Sequence, residues 1–274
     1  MLSRQERFLT LAIFVLIAII TLYPLAVLVS TSLEPVNSTT TSSISFSHPL
    51  SVAAYGYAWH TGNFSTYMIN TAIVTVSVMA ISAVVAILAA YGIERLRPPG
   101  GRIVLYISAL GFMLPVETLV IAWYYQFESL GWLNSYWAMI LPQVAQSVAF
   151  GTFWLATAFR GLPRSLTEAA IIDGTSRWAL LWRVLVPSVA PAIRTMMALV
   201  FLWTWNSFLL PLVVEANSSR YTVTVGLSTF QGAHGNSYSA LAAGSVLAAL
   251  PVVLVFLYSQ RSFIAGMFAG ASVE

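Results

Sequence analysis

Cysteine and lysine are both absent from the 274 residues of this chain. Without cysteine there is no disulfide, no thiolate metal site and no cysteine nucleophile. Without lysine there is no P-loop of the G-x-x-x-x-G-K-[ST] type, because that motif holds phosphate with its lysine. Any ATP hydrolysis linked to this protein must therefore take place on another polypeptide. No catalytic residue, metal site or cofactor is predicted in this one.

Charge is also scarce, since 8% of the residues are charged and 58% are hydrophobic. A soluble domain carries about 25% charged residues, enough to cover a surface that faces water. The apolar residues lie in uninterrupted blocks, and several of these reach the roughly 20 residues that a helix needs to cross a bilayer. The composition therefore predicts an integral membrane protein.

The apolar blocks predict an all-α membrane protein with six transmembrane helices, because isolated strands cannot satisfy their backbone hydrogen bonds in lipid. The first block is longer than the core of a signal peptide, about 7–15 residues, and is predicted to be an uncleaved span. With no internal repeat and no second domain, we predict a single transmembrane domain over residues 1–274. The predicted spans are residues 8–29, 67–93, 103–127, 137–159, 188–214 and 240–259. Kinks or membrane exits are predicted at Pro115, Pro142, Pro211 and Pro251.

The arginines predict the orientation of the spans, because basic residues concentrate on the cytoplasmic side of a membrane. With six spans, Arg220 is the one arginine on the opposite side, and both chain termini are predicted to be cytoplasmic. The polar, uncharged stretch at residues 37–47 suits a solvated loop outside the cell.

Residues 160–187, here called the coupling loop, are predicted to form two short cytoplasmic helices around a glycine. Ser165 and Glu168 have the spacing of a capping box, in which each side chain satisfies a backbone N–H of the first turn. Gly174 can adopt a positive φ and end the first helix. The second helix is then capped by Thr175 or Ser176.

The second helix carries an apolar stripe at helical spacing, made of Trp178, Leu181, Trp182 and Leu185. One interpretation of this stripe is an amphipathic helix that rests on the inner leaflet. That interpretation does not explain a first helix of small residues that ends at a tight glycine turn. A short rigid helix of this kind, with Ala169 and Ala170 permitting close approach, favours docking into a groove of a soluble partner.

The coupling loop resembles the EAA loop of permease subunits of ATP-binding-cassette importers. The matching residues are Glu168, Ala169, Ala170, Gly174 and, after nine intervening residues, Val184-x-x-Pro187, where the family prefers isoleucine at the position of Val184. Further segments resemble the carbohydrate-uptake branch, and in particular the second subunit of maltose-type permeases. These segments are residues 114–117, the region around Phe153, residues 205–212, residues 225–227 and the tail from Gln260 to Gly270.

The resemblance implies a multi-pass permease in the inner or plasma membrane of a bacterium or archaeon, one that imports a sugar or sugar-like solute by alternating access. It also implies the partners: a second permease subunit, two ATPase subunits that bind ATP and magnesium, an extracytoplasmic solute-binding protein and membrane lipid, with no nucleic acid. The implied docking element for the ATPase consists of Glu168, Ala169, Ala170, Asp173 and Gly174. Alternatively, Glu168 serves only as a cap and Asp173 only as a solvated turn residue.

Polar residues inside spans are costly and are often functional, so they are the candidates for the solute path. Aromatic rings such as Trp203 could stack on sugar rings. The candidates are Asn206, Trp205, Ser207, Glu117, Gln143 and Tyr124. Alternatively, Asn206 forms a hydrogen bond to the partner permease, the tryptophans form an interfacial belt, and the other permease holds most of the solute site.

Three rival functions are left open by the residues. An ion-coupled transporter would need ionisable groups at mid-membrane, where only Glu117 is near the required depth and it has no evident basic partner. A structural or receptor-like scaffold leaves the spacing of the EAA loop unexplained. A glycerol-phosphate-type solute would call for a basic residue in the path, and Arg194 is the only candidate near a span interior.

Overall fold

The computed structural model describes residues 4–36, 50–232 and 235–271, with side chains described at 4–36, 50–230 and 237–260. The helices are α1 (Arg4–Ser32), α2 (Ala53–His60), α3 (Phe64–Tyr91), α4 (Gly101–Met113), α5 (Val116–Ser129), α6 (Tyr136–Gly161), α7 (Arg164–Ile172), α8 (Arg177–Ala179), α9 (Val186–Ser188), α10 (Ala190–Trp205), α11 (Leu209–Val214), α12 (Val223–Thr229) and α13 (Tyr238–Ala271). Single π-helical turns follow α3 at Gly92–Leu96 and α8 at Leu180–Leu185, and a 3₁₀ turn covers Ser218–Arg220.

The predicted all-α fold is confirmed for the described parts of the chain, with one small exception. Strand β1 (Gln231–Gly232) pairs antiparallel with β2 (Gly235–Asn236) in a ladder of two residues on each side. The predicted outer loop at residues 37–47 lies outside the described residues, and so do the side chains of the tail after Gln260.

In the described parts of the chain, four helical segments are long and apolar enough to cross a membrane by length and composition: Arg4–Ser32, Phe64–Leu96, Tyr136–Gly161 and Tyr238–Gln260. Two further segments meet the same test only as bent pairs, which raises the number to six if each pair is one span. They are Gly101–Met113 with Val116–Ser129, bent by 94°, and Arg177–Ser188 with Ala190–Trp205, bent by 76°.

The third predicted span is therefore not one helix. Leu114 and Pro115 both have extended backbone angles between α4 and α5. Proline disfavours the helical conformation of the residue before it, which explains why α4 ends at Met113. The fifth predicted span is likewise interrupted, because α10 ends at Trp205 and α11 begins only at Leu209.

The chain divides into two compact units. One contains the residues up to Met68 together with Val223–Pro251, and the other contains Ile69–Thr222 together with the residues from Val252 onward. In the second unit α6 is central, because it packs against α4, α10 and α11. Its fully buried side chains include Leu155 and Phe159 of α6, Leu181 and Leu185 of the coupling loop, and Met196 of α10.

The connection between α11 and α12 is held by buried polar groups of the second unit. Asn70 donates from Nδ2 to the carbonyls of Ser219 and Tyr221, both at 3.0 Å, and accepts from the Tyr136 hydroxyl at 2.7 Å. Glu215 lies in the same connection and is 2% exposed. Burial raises the pKa of its carboxyl above the ordinary value. The folded state therefore favours the protonated form of Glu215, and this contribution to the stability of the protein is lost as pH rises through the raised pKa.

In the first unit, α12 approaches the side chain of Tyr67 so closely that only glycine fits at position 226. A Cβ added to Gly226 would lie 2.1 Å from Tyr67 Cδ2. We expect Gly226→Ala to destabilise the protein by about 1–3 kcal/mol, the usual cost of overpacking. The thermal unfolding midpoint of the purified chain in detergent measures this effect.

The matched control for Gly226→Ala is Gly56→Ala in α2. A Cβ added to Gly56 meets nothing within 4 Å. Alanine in a helix interior is favoured over glycine by about 0.5–1 kcal/mol, so this variant is expected to unfold at the same or a higher temperature. Equal midpoints for the two variants would show that the contact with Tyr67 does not constrain the packing of α12.

Candidate functional site

The first helix of the coupling loop ends in a glycine turn, as predicted. Gly174 has a φ of +75°, in the left-handed region that side chains with a Cβ avoid. Its N–H donates to the Ile171 carbonyl, and the Thr175 N–H donates to the Ala170 carbonyl, both at 3.0 Å. This pair of bonds is the Schellman arrangement, which satisfies carbonyls at the end of α7 and gives the turn a defined shape.

The predicted capping box at the start of α7 is wrong. The helix begins at Arg164, with Pro163 in the N-cap position and no side-chain cap hydrogen bond. Ser165 is already inside the helix, where its hydroxyl is not placed to cap the first turn. Ser176 does cap the following helix, because its Oγ accepts a hydrogen bond from the Ala179 N–H at 3.3 Å.

The exposed residues of α7 differ from the predicted docking residues: one predicted alanine is buried, and two isoleucines that were not predicted are exposed. Ala170 is 7% exposed and packs into the core of its own chain. Ile171 and Ile172 are 59% and 85% exposed and were not predicted to take part. Two neighbouring isoleucines in the last turn of an exposed helix are the signal that could have found them. The other predicted docking residues are all exposed: Glu168, Ala169, Asp173 and Gly174.

The base of α7 is tied to the connection that follows α3. Arg160 binds Glu94 in a bidentate ion pair, with Nη2–Oε1 at 2.6 Å and Nε–Oε2 at 3.2 Å. Arg95 donates from Nη2 to the carbonyls of Phe159 and Leu162, at 2.6 and 3.1 Å, where α6 ends. Because α7 begins two residues after Leu162, these bonds connect the start of α7 to the ends of α3 and α6.

A cavity of about 700 Å³, here called the break cavity, opens in the second unit where two helices are interrupted. One wall is the break between α4 and α5 at Leu114 and Pro115, and another is the break between α10 and α11 at Asn206–Phe208. Helix α6 contributes Gln143 and Gln146. Interrupted helices are tolerated at membrane depth where they line a cavity, and in transporters such breaks form solute sites.

The polar side chains of the break cavity keep hydrogen-bonding capacity. Asn206 donates from Nδ2 to the Leu202 carbonyl, and Gln143 donates from Nε2 to the Met139 carbonyl, both at 2.7 Å. Among the described residues neither amide oxygen has a donor. Glu117 is exposed in the first turn of α5, where the positive end of the helix dipole favours a carboxylate.

The structure brings together four of the six predicted solute-path residues: Glu117, Gln143, Asn206 and Ser207 all line the break cavity. Two do not line it. Trp205 is 6% exposed and stacks on Phe201 with ring centroids 5.3 Å apart. Tyr124 packs edge-on against Tyr125 further along α5.

Sequence reasoning missed Gln146 and Phe112, which also line the break cavity. Gln146 follows Gln143 by three residues and therefore lies on the same face of α6, a spacing that could have identified it. Phe112 forms an aromatic cluster with Phe150 and Trp203, with ring centroids 5.0–6.1 Å apart. Of these rings, those of Phe112 and Trp203 line the cavity.

The described lining of the break cavity offers amides, a hydroxyl, one carboxylate and three aromatic side chains, those of Phe112, Trp203 and Phe208, and contains no arginine. Within the described ranges, no three His, Asp or Glu side chains gather closely enough to hold a metal ion. The chemistry of this lining suits a polar solute that bears hydroxyl groups, held by hydrogen bonds and by ring stacking.

The sequence of this chain is similar to one known protein family and to individual proteins of known name. Residues 82–267 match the family described as binding-protein-dependent transport system inner membrane component. The chain is 29% identical to the diacetylchitobiose uptake system permease protein NgcG of Streptomyces coelicolor, over 94% of this chain and 87% of that protein. It is 33% identical to the trehalose/maltose transport system permease protein MalG of Thermococcus litoralis, over 76% of each chain.

Comparison with solved structures gives the fold. A chain in the crystal structure of a bacterial ABC transporter involved in the import of the acidic polysaccharide alginate matches with a TM-score of 0.81. The match covers 95% of this chain and 98% of that chain at 23% sequence identity. At 23% identity the match establishes the fold but does not identify the solute.

Proposed function

The chain belongs to the family of binding-protein-dependent transport system inner membrane components, and we propose that it is a permease subunit that imports a neutral sugar or sugar-like solute. The observation that carries this proposal is the break cavity, whose amides and aromatic rings lie at two interrupted helices. Relatives named for the uptake of diacetylchitobiose and of trehalose or maltose support the same solute class.

The proposed assembly contains a second permease subunit, two ATPase subunits and an extracytoplasmic solute-binding protein. ATP and magnesium are bound by the ATPase subunits, since this chain has no lysine for a P-loop. The chain forms one permease domain with six spans, counting each bent pair as one, and both termini face the cytoplasm. Its location is the inner or plasma membrane of a bacterium or archaeon. The family match and the positions of the arginines support this arrangement.

In this proposal α7 docks on an ATPase subunit through Glu168, Ala169, Asp173 and Gly174, with the exposed Ile171 and Ile172 adding apolar contact. Closure of the ATPase subunits then moves α7 as a rigid element. The pairs Glu94–Arg160 and Arg95–Phe159 pass that motion to α3 and α6. Sliding of packed helices is an established way to open a cavity alternately to the two sides of a membrane.

Two alternative functions have less support. A glycerol-phosphate-type solute calls for a basic side chain, and the described lining of the break cavity contains none, while Arg194 lies outside it. An ion-coupled transporter would use ionisable groups in the path, and Glu117 is the one such residue in the part of the lining that the structure describes.

Reconstitution of the complete importer in proteoliposomes tests the proposal. We expect uptake of a neutral oligosaccharide that requires both ATP inside the vesicle and the solute-binding protein outside it. A panel of labelled mono- and oligosaccharides, with glycerol 3-phosphate as comparison, identifies the solute class. Uptake driven by a proton or sodium gradient without ATP, or uptake restricted to glycerol 3-phosphate, would overturn the proposal.

A further inference from the structure

A second cavity, of about 890 Å³, lies in the second unit at the connection between α3 and α4. We call it the arginine pocket, because its described lining includes Arg97, Arg102, Arg160 and Arg164 but a single carboxylate, Glu94. The transport mechanism proposed above uses the Glu94–Arg160 pair but leaves the pocket itself unexplained.

The charges of the arginine pocket are unbalanced. Glu94 is occupied by the bidentate pair with Arg160, whose side chain is 60% exposed. Arg97, Arg102 and Arg164 have no carboxylate within ion-pair distance among the described residues, and all three are exposed. Four guanidinium groups against one carboxylate leave three positive charges around a single concave surface.

Two helix N-termini reach the same pocket. Helix α4 starts at Gly101 with Arg102 as its second residue, and α7 starts at Arg164. Neither helix has an acidic residue in its first turn. A helix N-terminus carries partial positive charge, so an arginine there is unfavourable unless an anion is present. Both helix ends and the three unbalanced arginines therefore favour the same type of ligand, a multivalent oxyanion such as phosphate.

The other wall of the arginine pocket is apolar and exposed. Ile103, Tyr106 and Phe153 line it with exposed fractions of 62%, 68% and 48%. The same face of α4 continues through Ile107 and Leu110, which are 62% and 64% exposed. Since α3 and α4 are apolar helices joined by a short connection, the charged part of the pocket lies at the membrane surface and the apolar part extends toward the lipid.

We propose that the arginine pocket binds an anionic phospholipid, with the phosphodiester of the headgroup among Arg97, Arg102 and Arg164 and an acyl chain along Ile103, Tyr106 and Phe153. Basic pockets at the ends of transmembrane helices bind headgroups in this way. The amphiphilic lining favours a lipid over the acidic surface of an ATPase subunit, because a soluble surface would leave the apolar wall uncovered. The inference goes beyond the proposed solute transport and requires only that the connection between α3 and α4 lies at the membrane surface.

Native mass spectrometry of the purified wild-type complex is the first test. The complex is exchanged into mixed micelles of phosphatidylglycerol and phosphatidylcholine, and the lipids that remain bound to this chain are identified. We expect phosphatidylglycerol to be retained preferentially and to survive an excess of inorganic phosphate. Equal retention of the two lipids would overturn the proposal. Displacement by inorganic phosphate would also overturn it, in favour of a site for free anions.

The second test compares two double variants with the same change in net charge. R97Q/R102Q removes two arginines of the pocket, whereas R177Q/R183Q removes two exposed arginines outside it. A basic residue near the membrane surface contributes about fivefold to anionic-lipid binding, so R97Q/R102Q is expected to weaken phosphatidylglycerol binding roughly 20-fold. The control is expected to bind nearly as wild type does. Equal losses in both variants would overturn the proposal.

The same two variants also distinguish lipid from protein as the ligand. If R97Q/R102Q retains phosphatidylglycerol but no longer copurifies with the ATPase subunit, the pocket is a protein-docking surface and the proposal is wrong. If the variant loses the lipid while the ATPase subunit still copurifies, the proposal is supported. Should R97Q/R102Q fail to fold, the lipid preference of the wild-type complex still decides the question.

Discussion

Gly174→Pro is expected to lower ATP-dependent solute uptake by the reconstituted importer about 100-fold, because proline at an incompatible position costs about 3 kcal/mol. The proline ring holds φ near −65°, whereas Gly174 has a φ of +75°. Proline also removes the N–H that donates to the Ile171 carbonyl at 3.0 Å. Both changes disrupt the turn that ends α7 and gives the docking element its shape.

Two further substitutions at the same position separate backbone geometry from bulk. A Cβ added to Gly174 meets no atom within 4 Å, so steric contact inside this chain does not limit the site. Alanine pays about 1–2 kcal/mol for the left-handed conformation, so Gly174→Ala is expected to lower uptake roughly tenfold. Asparagine adopts this conformation more readily, and Gly174→Asn is expected to retain most of the activity.

Uptake and solute-stimulated ATP hydrolysis, measured in the same proteoliposomes, check this series. The expected order of uptake is glycine, asparagine, alanine and proline, with stimulation of the ATPase lost in parallel with uptake. Normal uptake and normal stimulation in Gly174→Pro would contradict the role of the turn. Equal activity of the alanine and asparagine variants would show that positive φ is not the property that matters.

The double variant Gln143→Leu with Asn206→Leu is expected to lower the apparent affinity for solute about 30-fold. Each substitution replaces an amide of the break cavity with an apolar group of similar size. A solute hydroxyl that loses its partner inside such a cavity costs about 1 kcal/mol or more, and two such losses account for the expected factor. The concentration dependence of uptake, with the solute-binding protein held in excess, measures this change.

Thr204→Val is the matched control for the cavity variant. Thr204 lies in α10, two residues before Asn206. It is 3% exposed and does not line the break cavity. Its buried hydroxyl has no hydrogen-bond partner among the described residues, and valine has nearly the same shape. Uptake by Thr204→Val is therefore expected to equal that of wild type. If the double variant behaves like this control, the solute is recognised elsewhere, in the other permease subunit.

Local features of the chain account for what could be predicted at the coupling loop. Gly174 lies between two segments with helical patterns, and a glycine there is sufficient to predict a left-handed turn, because the preference depends on one residue's own backbone. The capping box failed for an equally local reason. Pro163 is compatible with a helix that begins at Arg164. The helix therefore begins one residue before Ser165, and Pro163 occupies the N-cap position.

The orientation of side chains around α7 was not predictable from the same residues. Ala169 and Ala170 are chemically identical, yet Ala170 packs into the core while Ala169 is exposed. Periodicity in a nine-residue helix does not decide which face is buried when both faces carry small and apolar residues. The packing partner decides it, and α7 packs against the π-helical turn Leu180–Leu185, which comes later in the chain.

Composition and apolar block length alone determined that this is a helical membrane protein, and the absence of lysine determined that it has no P-loop of its own. Only the tertiary structure decided that the break at Pro115 and the break at Asn206 face one cavity, and that Arg102 and Arg164 share another. The physical reason is the range of the interactions. Transfer into lipid and backbone preference act residue by residue, whereas a cavity exists only where distant helices pack against each other.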